Sequence, residues 1–204
     1  METEDYEKYK KCSEMVEECM KEDRLLSLLV DELQKNKCTI KDKDSLLSFR
    51  CGNPRSQQFQ NRPTKTVIGL ETEQDEKKTF CTSLRHELLH SYDNCKSSLN
   101  PLYPTHMTCT EIHSYDLFSC DQEEVKRLAP VFDKNVSRKE QARARIPEEL
   151  HQNCVWQLTL KSLMKNYDYS REKSTKSLEI VWNRCYNNLE PFGERQRLGP
   201  VDKE

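Results

Sequence analysis

Ten cysteines are the feature that most constrains how this 204-residue chain can fold. Their number is even and no two are spaced as Cys-x-x-Cys, which excludes a zinc ribbon or a thioredoxin-type redox pair by pattern. Disulfides are the natural interpretation, and reduced thiols buried in the core are the alternative. Spacing leaves the connectivity open. The ten are Cys12, Cys19, Cys38, Cys51, Cys81, Cys95, Cys109, Cys120, Cys154 and Cys185.

Composition indicates the fold class and argues against nucleic-acid binding and against a membrane-spanning segment. Apolar residues make up 34% of the chain, charged residues 33%, and only 4 residues are glycine, which favours a mainly α fold with a small β element. The net charge of -2 comes from 33 basic and 35 acidic residues that are scattered, so nucleic-acid binding is not expected. No apolar run is long enough to cross a bilayer, so any membrane association would be peripheral, and we expect no cleaved address at the N-terminus.

Hydrophobic periodicity predicts several helices and one strand. The helices are expected at 5–36, 80–94, about 105–118, from 147 onwards, and 172–189, and the strand at 65–70. Cys12 and Cys19 would lie on one face of the first helix with Cα atoms roughly 10 Å apart, which is beyond disulfide reach. We therefore expect neither to pair with the other.

The segment His86-Glu87-Leu-Leu-His90 carries the clearest chemistry. Residues four apart share one face of a helix, so the two imidazoles can point at one zinc ion. Glu87 between them can act as a general base on a water at the metal, a role that a purely structural pair of histidines does not need. A match to a five-residue motif also arises by chance, and the alternative is a solvated helix.

A catalytic zinc needs a third protein ligand and an open position for water. Glu111 lies 21 residues beyond His90 on the next predicted helix, where helix-loop-helix zincins carry a glutamate ligand. We predict Glu111 as the third ligand. Asp93, one turn after His90, is an alternative ligand or a partner that orients a histidine.

Other polar residues offer further alternatives. His106, Cys109 and His113 have spacings that could form a separate metal site, although no fourth ligand is evident. The more favoured interpretation is that His106 or His113 stabilises an oxyanion or orients a ligand, with Tyr115 as another oxyanion donor. His151 is predicted to be a surface residue.

These residues together resemble the family of mitochondrial inner-membrane metalloproteases that process and assemble ATP synthase. The resemblance rests on HELLHSYDNC (86–95), HMTCTEI (106–112), Cys120, and the stretch from Cys185 to Glu190-Pro-Phe-Gly. It extends upstream to Cys12, LLVDELQKNKC and Cys51, and so covers roughly 12–193. The chain departs from the family in lacking a second cysteine shortly after Cys51 and in having His113-Ser-Tyr where small and basic residues are usual.

The resemblance implies a minimal zincin-like metalloprotease core braced by disulfides, peripheral on the intermembrane-space side of the inner membrane. It also implies a zinc-dependent endopeptidase that cleaves the precursor of a membrane-embedded ATP synthase subunit and aids assembly of that subunit. A disulfide-braced assembly chaperone with a non-catalytic metal site is the alternative, and a helical interaction module without metal is a third reading. Glu87 favours the enzyme.

The predicted organisation is one folding unit with four parts. Residues 1–50 form an N-terminal cysteine-bearing helical segment, and 51–125 form the zincin-like catalytic core. Residues 126–193 form a C-terminal helical part that packs on the core, and 194–204 form a tail. The Val67–Leu70 part of the predicted strand is expected to bind the protein substrate, which would pair with it as an added strand.

Overall fold

The computed structural model describes residues 3–38, 50–51, 69–70, 77–120 and 148–193, and these are mainly helical, as predicted. Two short strands, β1 (Arg50–Cys51) and β2 (Gly69–Leu70), pair in parallel with Arg50 opposite Gly69. The chain divides into two compact units, Met1–Asn100 and Pro101–Glu204. The rest of the strand predicted at 65–70, and the tail at 194–204, lie outside the described residues.

The first unit begins with two helices where the sequence predicted one. Helix α1 (Thr3–Glu22) ends one residue before Asp23, and α2 (Arg24–Lys35) begins one residue after it. Asp23 has an extended backbone, and its carboxylate accepts hydrogen bonds from the backbone N–H groups of Leu25 (2.9 Å) and Leu26 (3.3 Å). The helical prediction over 5–36 is thus interrupted at this residue, because an aspartate that caps a helix start favours a break.

Helix α3 (Lys77–Ser97) packs on α1 and α2 and supplies much of the apolar core of the first unit. Burial of each leucine there stabilises the fold by about 1.5–3 kcal/mol. Two disulfides hold α3 near its two ends, Cys19–Cys81 and Cys38–Cys95. The fully buried side chains of this core are Leu26, Leu29, Leu33, Phe80, Leu84, Leu88 and Leu89.

The second unit is built from three helices and one π-helical segment. They are α4 (Pro104–Ser114), the π-helical segment (Tyr115–Ser119), α5 (Glu148–Asn166) and α6 (Arg171–Tyr186). Helix α4 packs against both α5 and α6. Its Thr108 hydroxyl lies 2.7 Å from that of Ser177 on α6, and both side chains are buried. The short side chains allow the two helices to approach closely.

Disulfides also join the elements of the second unit. Cys109 on α4 pairs with Cys185 on α6, and Cys120 after the π-helical segment pairs with Cys154 on α5. Together with the two bridges of the first unit these confirm the predicted disulfide bracing, and they exclude the alternative of reduced thiols at those eight positions. Cys12 is disulfide-bonded as well. None of the helices in the described part of the chain is both long and apolar enough to cross a membrane.

Candidate metal centre

Helix α3 brings the two histidines of the HExxH segment together. The Nε2 atoms of His86 and His90 lie 3.0 Å apart, and the ring planes meet at 87°. A tetrahedral zinc with Zn–N bonds of 2.0–2.1 Å holds two nitrogens about 3.3 Å apart. The spacing that one helical turn produces is thus close to the spacing that one metal ion requires.

The side chains of α3 in and around the histidine pair differ in how deeply they are buried. Leu84, Leu88 and Leu89 are fully buried in the core of the first unit. His90 is buried, with 4% of its surface exposed, whereas His86 and Glu87 are half-buried. Half-burial leaves the Glu87 side chain accessible to solvent, as a proton acceptor requires.

An ion pair beside the motif anchors α3 to the start of α2. The Nε atom of Arg85 lies 2.9 Å from an Asp23 carboxylate oxygen, and both side chains are largely buried. The other Asp23 oxygen caps α2. One aspartate therefore ties the residue just before His86 to the helix on which α3 packs.

Glu111 lies on α4 in the second unit and is only 2% exposed. The hydroxyl of Tyr167 donates a hydrogen bond of 2.9 Å to Glu111 Oε1. Two residues earlier, Cys109 is bonded to Cys185 of α6. A carboxylate buried to this extent needs polar or charged partners, and Tyr167 supplies one of them.

Among the described residues, one group of side chains could hold a metal ion. Its members are His86 and His90 on α3 and Glu111 on α4, and each offers one ligand atom. Two imidazoles and one carboxylate form a donor set found in catalytic zinc sites, which keep a further position for water. The donor chemistry of this group therefore fits a divalent metal.

Comparison with known proteins identifies the family. The model of the Peptidase M76 family matches residues 10–193. The chain belongs to the peptidase M76 family. No solved structure matches it.

Several relatives match most of this chain. The "mitochondrial inner membrane protease ATP23 homolog" of Xenopus laevis is 24% identical, over 90% of this chain and 72% of the relative. The human protein of the same name is 21% identical, over 90% and 69%. "Mitochondrial inner membrane protease ATP23" of Saccharomyces cerevisiae strain Lalvin EC1118 is 24% identical, over 94% and 86%.

The separate metal site that spacing suggested at His106, Cys109 and His113 is wrong for this M76 family member. Cys109 is in a disulfide and cannot offer a thiolate. The Nε2–H of the buried His113 donates to the carbonyl oxygen of Glu190, 2.7 Å away, so this ring holds the C-terminal turn.

The oxyanion roles of His106 and Tyr115 stay predictions. Both side chains are half-buried. Asp93 on α3 is buried, with 9% of its surface exposed, and is outside the candidate metal group.

His151 was predicted to lie on the surface, and that prediction is wrong. Its side chain is 2% exposed, with Nδ1 2.8 Å from the Tyr186 hydroxyl and 3.6 Å from an Asp116 carboxylate oxygen. The Tyr186 hydroxyl also approaches Glu148 at 2.6 Å. A signal existed in the sequence, because His151 precedes the buried Cys154 and Val155 by three and four residues, the spacing of one helix face.

Tyr167 is the residue that sequence reasoning missed. It contacts Glu111 from 56 positions along the chain, beyond the end of α5. No motif or periodicity links positions so far apart, so nothing in the sequence alone marked this tyrosine. Only the packing of α4 with α5 and α6 reveals it.

Proposed function

We propose that this M76 family member is a zinc-dependent endopeptidase in which His86, His90 and Glu111 hold the metal ion and Glu87 is the general base. The observation that carries the proposal is the pair of imidazole nitrogens of His86 and His90, 3.0 Å apart on one helix. The buried Glu111 carboxylate supplies the third donor. Membership of a peptidase family supports it. The helix that carries both histidines and the following helix that carries Glu111 would then form a minimal zincin-like core.

The donor set accounts for the choice of chemistry. Two neutral imidazoles and one carboxylate neutralise only one of the two positive charges of zinc, so a bound ion keeps strong Lewis acidity. A zinc ion held by these residues would polarise the scissile carbonyl and make a nearby water much more acidic. A buried Glu111 contributes its charge without being screened by solvent.

Glu87 performs the proton transfers. It follows His86 directly on α3 and is half-buried, so its carboxylate can reach a water beside the histidine pair. It takes a proton from the attacking water and returns that proton to the leaving amine, a contribution typically worth 10²–10⁴-fold in rate. Val67–Leu70 is the segment that we propose to hold the substrate as an added strand.

The names of the relatives and the sequence resemblance support a proposed location and a proposed substrate. The relatives are named as mitochondrial inner membrane proteases, and we infer that this chain works peripherally at that membrane. The four disulfides between described cysteines suit an oxidising compartment, which favours the intermembrane-space side. The proposed substrate is the precursor of a membrane-embedded ATP synthase subunit, whose assembly the protein also aids.

The test compares peptide cleavage and bound zinc in the wild type and in Glu87→Gln. The amide keeps the size of the side chain but is not a base, so we expect zinc content to stay unchanged and cleavage to fall by about 10²–10⁴-fold. Glu149→Gln, on an exposed residue of α5, is the matched control and should cleave normally.

Equal cleavage by Glu87→Gln and the wild type would overturn the proposed role of Glu87. If the wild type binds zinc, cleaves nothing and still promotes ATP synthase assembly, the alternative of a disulfide-braced chaperone with a non-catalytic metal site replaces the enzyme.

A further inference from the structure

The chain reverses direction between α5 and α6 in a short connection that starts with Tyr167. Asp168 takes up a left-handed backbone conformation with φ of 54°. The Tyr169 N–H then donates to the carbonyl of Leu163, 3.2 Å away, which closes the end of α5. Ser170 caps the start of α6. The backbone of Tyr167 is thus fixed by two helices.

Neighbouring side chains also hold the ring of Tyr167. Its centroid lies 5.8 Å from that of Tyr169, with a tilt of 34° between the planes. The Lys173 ammonium lies 3.8 Å above the Tyr169 ring, and burial raises the pKa of Tyr169 above its usual value. The ring beside Tyr167 is therefore a neutral phenol, held in place by a cation–π contact to α6.

The hydroxyl of this fixed ring donates to Glu111 Oε1 at 2.9 Å. Since Glu111 is 2% exposed, the hydrogen bond forms away from bulk water and has an ionisable acceptor, and both conditions strengthen it. A carboxylate has two oxygens and rotates freely about its terminal bond. A donor that holds one oxygen fixes the direction of the other.

We propose that Tyr167 is a positioning residue for Glu111, whose held carboxylate presents an oxygen to the metal in a fixed orientation. The inference rests on the proposed function, because it takes Glu111 as a metal ligand. Partners that orient a ligand are typically worth 10–100-fold in metal affinity. Tyr167 would thus act through Glu111, without touching metal or substrate.

The first experiment measures zinc affinity of the full-length, disulfide-bonded protein by competition with a chromogenic chelator. Tyr167→Phe keeps the ring and removes the donor, so its affinity for zinc should fall about 10–100-fold. Tyr169→Phe, two residues later, keeps its ring and the contact with Lys173, and its affinity should match the wild type. The thermal unfolding midpoint of metal-free Tyr167→Phe should lie below that of metal-free Tyr169→Phe, because the buried Glu111 carboxylate loses a donor.

A double-mutant cycle distinguishes positioning from a general structural effect. In a Glu111→Ala background Tyr167→Phe should cause no further loss of zinc affinity, because the group that Tyr167 orients is gone. Equal losses in both backgrounds would overturn the proposal, as would a wild-type affinity in Tyr167→Phe. A lower unfolding midpoint of Tyr167→Phe without a change in zinc affinity would overturn it too.

The same measurements separate failure of the inference from failure of the proposed function. If the wild type and Glu111→Ala bind zinc equally, the proposed ligand set is wrong. If Glu111→Ala loses affinity while Tyr167→Phe does not, Glu111 remains a ligand and only the role of Tyr167 is wrong.

Discussion

The two units contribute their candidate ligands in different ways. In the first, the 3.0 Å spacing of the His86 and His90 nitrogens follows from a separation of four residues on one helix. In the second, Glu111 is surrounded by groups from distant parts of the chain. Tyr167 lies 56 residues away, and the Cys109–Cys185 disulfide spans 76 residues. The histidine pair thus depends on local geometry, and the glutamate depends on tertiary structure.

This difference predicts that the two units respond differently to loss of a disulfide. Replacing Cys109 and Cys185 by alanine should lower the free energy of unfolding by about 2–5 kcal/mol. It should also weaken zinc binding, because Cys109 lies two residues before Glu111 on α4. Denaturant unfolding and chelator competition measure the two effects.

The matched variant removes Cys19–Cys81 from the first unit, a bridge that spans a similar 62 residues. We expect a similar loss of stability but an unchanged zinc affinity in the protein that remains folded, since helix periodicity still pairs the two histidines. If removal of Cys19–Cys81 lowers zinc affinity more than removal of Cys109–Cys185 does, the difference between a locally positioned histidine pair and a glutamate positioned by tertiary structure does not hold.

The helix caps provide a smaller test within each unit. Ser170→Ala removes the acceptor for the Lys173 N–H at the start of α6 and should cost about 1 kcal/mol. Asp23→Ala should cost more, because Asp23 both caps α2 and pairs with Arg85 beside the histidines.

Asp23→Asn separates the two roles of Asp23, since an asparagine still caps a helix but carries no charge. Its loss of unfolding free energy should lie between the wild type and Asp23→Ala. If Asp23→Ala costs no more than Ser170→Ala, the ion pair to Arg85 adds nothing to the stability of α3.

The same contrast explains what could be predicted from the sequence. The HExxH pair was predicted because a single turn of helix determines it, and the mainly α fold followed from composition and periodicity. The break at Asp23 has a local cause, but an apolar stripe that begins just after it obscured the cap. The burial of His151 was missed because one polar residue on an apolar face looks like an exposed one until its partners, Asp116 and Tyr186, are known.

Long-range features could not be predicted from one chain. Spacing leaves many connectivities open for ten cysteines, so the pairing of Cys38 with Cys95 could not be foreseen. The contact between Tyr167 and Glu111 depends on how α5 and α6 pack with α4. Such packing is a property of the whole second unit and leaves no mark in a local pattern.

The proposed metal centre consists of two histidines and one glutamate that hold a single metal ion. The most direct test is X-ray absorption at the zinc edge of the metal-loaded protein, together with its zinc content. We expect one zinc per chain, a nitrogen and oxygen shell at about 2.0–2.2 Å, and no sulfur shell. Glu111→Ala should lose affinity and change that shell. A sulfur distance near about 2.3 Å, or an unchanged shell and affinity in Glu111→Ala, would contradict the account.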